Sequence, residues 1–130
     1  MARMNSASRH TVAMGAILML LGVLLGAFGA HALKTRLSSE MLAVYQTGVQ
    51  YHLFHALGLM LIGVLRHLQT GETLLKASAW LMGVGVVLFS GSLYGLAITG
   101  ITMLGALTPV GGLFFIAAWA LAVWEMIRKN

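Results

Sequence analysis

Three stretches of this chain carry no charged side chain: residues 10–33, 41–65 and 77–124. A helix needs roughly 20 residues to cross a hydrocarbon core about 30 Å thick, so the first two stretches hold one crossing each. The third is about twice as long and holds two. With 59% hydrophobic residues against 8% charged ones, the composition is far from the usual soluble mixture. The expected fold is therefore all-α, an integral membrane four-helix bundle in a single domain, with spans at about 11–33, 42–67, 74–97 and 109–127.

The remaining charges belong to the connections and tails, and they set an orientation. Arg3, Arg9, Arg66, Lys76, Arg128 and Lys129 fall on one side of four spans, and only Lys34 and Arg36 on the other. Basic residues stay in the cytoplasm, so both termini are expected there. Trp80 and Trp124 then mark the cytoplasmic interface, and Tyr45 and Tyr94 the opposite one. The net charge of +5 suits anionic lipid headgroups, and no nucleic-acid module accompanies it. Arg3 and Arg9 ahead of the first apolar run, with Ala30-His31-Ala32 behind it, have the order of a secretory signal. The run is too long for the apolar core of one, about 7 to 15 residues, and is read as the first span.

Punctuation is consistent with this layout. Ser38 and Ser39 suit the cap of the second helix, Thr70-Gly71 its stop, and Thr108-Pro109 an N-cap followed by proline at the first position of the fourth. The connector at residues 98–107, uncharged and punctuated by glycine, is expected to lie in the interface or fold back on the bundle. In the first span Gly22, Gly26 and Ala30 recur every fourth residue, a stripe that lets another helix approach closely. Gly91 and Gly95 are expected to serve the same purpose in the third.

Polar residues concentrate in one apolar setting, YQTGVQYHLFHALG at residues 45–58. On a helix, Tyr45, Gly48, His52 and His55 share one broad face while Gln46 and Gln50 lie on another, with Tyr51 beside them. Exposing either polar face to lipid is costly, so this helix is expected to be surrounded by other spans or by a second protomer. His31, near the outer end of the first span, is placed to approach His52 or His55. Histidines at i and i+3 have usable spacing for zinc, copper or haem iron. Yet the chain has no cysteine, and Glu40, Glu72 and Glu125 all sit at span ends. Hydrogen bonding between helices is the expected role of this cluster, with no metal and no cofactor, and His55 rather than His52 is expected to bond across to Ser90, Ser92 or Tyr94.

Four motifs, GAFGAHAL (26–33), YQTGVQYHLFHALGL (45–59), FSGSLYGLAITG (89–100) and TPVGGLFFIAAWAL (108–121), resemble the YgdD/YwdK family of small inner-membrane proteins. The likeness extends over nearly the whole chain. Positions that match the family pattern include Gly29, His31, Gln50, Tyr51, His55, Ser90, Gly91, Tyr94, Pro109, Gly111 and Gly112, whereas His52 departs from it. The resemblance implies a four-span protein of the bacterial inner membrane and carries no catalytic residue with it. The expected function is non-enzymatic: packing against lipid, a second copy or another membrane protein. The alternative is a small channel or transporter for a polar solute, lined by the Gln46 to His55 region.

Overall fold

The computed structural model describes residues 3–69 and 74–128. Four long helices follow one another: α1 (Ser6–Phe28), α2 (Ser39–Leu68), α3 (Leu75–Thr99) and α4 (Leu107–Arg128). All four, with their short extensions, are long and apolar enough to cross a membrane. The expected stop at Thr70-Gly71 and the basic residue Lys129 lie outside the described residues.

The helix ends show local chemistry at work. Asn5 caps α1, its side chain accepting from the Ser8 amide at 2.8 Å, so the helix begins ahead of residue 11. A π turn, Gly29–Leu33, continues it, and the Leu33 carbonyl closes the end by accepting from the Arg36 and Leu37 amides. Ser38 caps α2 through the Met41 amide at 3.2 Å. Gly100, at φ 71°, ends α3 in the left-handed conformation that glycine adopts without strain.

The connector after it forms a 3-10 turn, Thr102–Ala106, and folds back so that Leu104 fills the space beside Gly95. That turn runs directly into α4 at Leu107, which leaves Pro109 in the first helical turn, where its missing N–H costs nothing. Thr108 is thus not a cap. Its Oγ1 lies 2.7 Å from Ser92 Oγ and ties α4 to α3.

The helices run up and down, and each packs on its neighbour in sequence. Small residues allow this. Gly15 and Gly22 of α1 and Gly29 of the π turn present one face to α2 and receive Met60, Leu53 and the Tyr45 ring; Gly26 receives Val49. Ala30, expected in that stripe, is exposed, because the contact line continues through Gly29. Gly111 of α4 lies against the backbone of Phe89 in α3, with no room for a Cβ between them. Gly91 corrects a second expectation: it faces outward, with open space where a Cβ would stand.

Two apolar cores result. Leu59, Ile62, Leu75, Met82, Ala118 and Ala122 join α2, α3 and α4 near one end of the bundle, and Leu33, Tyr45 and Ala97 form a smaller cluster at the other.

Tyr45 departs from its expected place in an aromatic belt. Trp80 and Trp124 are outward-facing, but Tyr45 is 1% exposed and belongs to the core. Glu125, at the end of the fourth span as expected, is fully buried and accepts from the Leu74 amide at 3.0 Å and from Arg128 at 2.6 Å. It thereby satisfies an amide at the start of α3 that has no partner within its own helix.

A methyl group at Gly111 must displace the Phe89 backbone, and overpacking of this kind costs about 1–3 kcal/mol. Gly111→Ala is expected to lower the thermal stability of the detergent-solubilised protein, and Gly91→Ala to leave it unchanged or raise it. Equal losses for the two would contradict the packing described here.

Candidate functional site

The polar residues of α2 divide by face. Tyr45, Gly48, His52 and His55 are buried, while Gln46 and Gln50 are exposed on the opposite side. Among the described residues no other span covers the two glutamines, so of the two expected covers, other spans or a second protomer, the first is absent from their face.

His52 joins three helices. Its Nε2 lies 2.8 Å from the Leu18 carbonyl in α1, and its Nδ1 lies 3.0 Å from the Tyr94 hydroxyl in α3. A carbonyl only accepts, so Nε2 carries the ring hydrogen and donates, and Nδ1 accepts from the tyrosine. Tyr94 packs beside Tyr45, ring centroids 5.0 Å apart, and the Tyr45 hydroxyl donates to the Leu25 carbonyl at 2.6 Å. One turn away along α2, the Ser90 hydroxyl donates to the Gly48 carbonyl at 2.7 Å.

His55 does not make the expected bond to α3. Its Nδ1 lies 2.7 Å from the carbonyl of Tyr51, one turn back on its own helix, and its ring stacks on Phe115 of α4 at 3.5 Å between centroids. The expected partners are engaged elsewhere, Ser90 with Gly48, Ser92 with Thr108 and Tyr94 with His52. Three residues of helix turn His55 about 60° away from the direction of His52, which carries it from the α1 and α3 side toward α4.

His31 stands exposed on the π turn. It lies 13 residues beyond Leu18, the level at which His52 meets α1, or roughly 20 Å along the helix, and does not join the other two. Among the described residues no three histidine or acidic side chains come together as metal ligands. Nor do Gln46, Gln50, His52 and His55 line one passage. The glutamines face outward, His52 is enclosed by α1 and α3, and His55 faces α4.

What the structure does form is a groove of about 490 Å³, lined by Tyr51, His55, Phe89, Gly112, Phe115, Ile116 and Trp119. Ile116 is among the outward-facing side chains, so the groove opens on the side of the bundle that meets lipid. The rings of Tyr51, His55 and Phe115 are nearly parallel, and Phe89 packs against Tyr51 at 4.4 Å. The α4 side of this wall escaped the sequence reading. A signal was present: Gly112, Phe115, Ile116 and Trp119 follow the i, i+3, i+4, i+7 spacing of one helix face, as Tyr51 and His55 follow i, i+4.

Fold and site together define a four-span helical membrane protein whose buried polar side chains tie neighbouring helices and whose aromatic groove is open to lipid. Residues 25–112 match the family described as protein of unknown function (DUF423), and the chain belongs to that family. It is 49% identical to the UPF0382 membrane protein YwdK of Bacillus subtilis, over 90% of this chain and 95% of that protein. A UPF0382 membrane protein of Staphylococcus haemolyticus is 45% identical over 86% of this chain and 90% of its own length, and one of Staphylococcus epidermidis is 40% identical over 90% and 94%. No solved structure matches the chain.

The His52 and Tyr94 bond is open to a double-mutant cycle. Interhelical hydrogen bonds in membranes couple by about 0.6 kcal/mol on average and up to about 1.7. His52→Phe and Tyr94→Phe are expected to show coupling in that range, measured by unfolding in mixed micelles, and His55→Phe with Tyr94→Phe to be additive. Coupling of Tyr94 to His55 in place of His52 would overturn the assignment.

Proposed function

We propose that this is a non-enzymatic, multi-pass protein of the inner membrane that works by pairing with a second copy of itself within the bilayer. The observation that carries this reading is the exposure of Gln46 and Gln50 on a face of α2 that no other helix of the chain covers. The middle of α2 falls near residue 53, so Gln50 lies within roughly 5 Å of the midplane of a centred span. An amide left without a partner in an apolar setting costs roughly 2–7 kcal/mol. A second copy relieves that cost directly, because a carboxamide both donates and accepts and two of them related by a two-fold axis satisfy each other.

The stripe continues toward the other end of α2 as Phe54, Leu57 and Leu61, apolar and exposed, so the same face offers a polar half and an apolar half to its partner. Connections of few residues between the spans, with no extramembrane domain among the described residues, support a role exercised inside the membrane.

Because the chain lacks cysteine, introduced cysteines report on proximity cleanly. Gln50→Cys and Gln46→Cys are expected to give an oxidation-dependent dimer in native membranes, and Leu113→Cys, exposed on α4, to give none. A monomer at both glutamine positions, or equal cross-linking at Leu113, would refute pairing through this face.

Both termini are placed in the cytoplasm in this reading. Its support is the basic count together with the up-and-down order of the helices, which brings Thr11 and Arg66 into contact (2.6 Å) at the same end as Leu74 and Glu125. Thr35→Cys is expected to react with an impermeant maleimide in intact spheroplasts, and Lys76→Cys only after lysis. The reverse pattern would invert the orientation.

A further inference from the structure

The groove between α2, α3 and α4 contains an acceptor that the fold does not use. His55 is 7% exposed, and its Nδ1 hydrogen is directed to the Tyr51 carbonyl at 2.7 Å. A neutral imidazole carries one N–H, so Nε2 presents a bare lone pair. That nitrogen has no hydrogen-bond partner among the described residues, while the ring itself forms part of the groove wall. The groove wall is apolar but for this nitrogen and the Tyr51 hydroxyl, and an acceptor without a partner in such a setting asks for a donor from outside the chain. The walls specify the rest: Phe89, Phe115 and Trp119 offer aromatic surface suited to a flat ring. A volume of about 490 Å³ is in the range of small-molecule sites, and the mouth opens toward lipid, so the ligand arrives from the bilayer.

We propose that this groove binds a bilayer-soluble ligand with a hydroxylated flat ring, a phenol or hydroquinone head on an apolar tail, whose hydroxyl donates to His55 Nε2. An acyl chain of an ordinary phospholipid fills the space but leaves the acceptor unpaired. A quinone, which only accepts, does the same. The proposal is independent of the pairing of α2 helices, since none of its residues is Gln46 or Gln50.

The test uses the full-length protein in phosphatidylcholine nanodiscs, in a Trp80→Phe, Trp124→Phe background that leaves Trp119 in the groove as a strong indole reporter. Decylhydroquinone, kept reduced, is titrated against its dimethyl ether, which has the same ring and tail without the hydroxyl hydrogens. The expected result is a saturable change in Trp119 emission with the hydroquinone and at least tenfold weaker binding of the ether. His55→Phe, which keeps an aromatic ring beside Phe115, is expected to bring hydroquinone affinity down to that of the ether.

Gly112→Leu supplies a second variant. A Cβ there has ordinary contacts at 3.8 Å, so the larger side chain fits the helix and extends into the groove, and both ligands should lose affinity. An unsaturable response, which is partition into lipid alone, would overturn the proposal. So would equal affinity for hydroquinone and ether, unchanged hydroquinone binding in His55→Phe, or unchanged binding in Gly112→Leu.

Discussion

Lipid is as apolar as the side chains it surrounds, so helices in a bilayer gain little by hiding leucine from it and must be held by contact geometry and hydrogen bonds. The close approach of α1 to α2 and of α4 to α3 is therefore the constraint on which the rest of this structure depends. Glycine makes it possible on both sides. Gly15, Gly22 and Gly29 let α1 lie against α2 while Tyr45, Leu53 and Met60 fill the space that side chains would have taken. Gly111 brings α4 onto the Phe89 backbone, and Gly85 accepts the Phe115 ring in return. That second contact also fixes Phe115 where it stacks on His55, so the packing of α3 and α4 is what forms the groove.

Hydrogen bonds complete what close packing begins. Four of those that cross between helices end on a main-chain carbonyl: His52 on Leu18, Tyr45 on Leu25, Ser90 on Gly48 and Ser78 on Ala118. Helical carbonyls retain a free lone pair and are the acceptors available where water is scarce. This pattern satisfies polar side chains at helix contacts without ion pairs. Against it, the outward glutamines and the open nitrogen of His55 stand out because each belongs to a side chain that the fold itself does not complete.

The resemblance carried by the motifs and the family match agree: the match covers the end of α1, all of α2 and α3 and the start of α4, and the motifs extend well into α4. Phe115 and Trp119, on the α4 wall of the groove, lie beyond residues 25–112 but within the fourth of the motifs, 108–121.

The sequence by itself determined the number of spans, their approximate limits and the division of α2 into two polar faces. These follow from length, the absence of charge and helical periodicity, which act locally. Only the tertiary structure decided which face is covered, that His52 rather than His55 bridges helices, that Gly29 replaces Ala30 in the α1 contact, and that Glu125 is buried. Each of these depends on the rotation and depth at which one helix meets another. In lipid those two quantities are set by the fit of particular side chains against glycine, for which an apolar sequence holds many near-equal alternatives and no periodic signal.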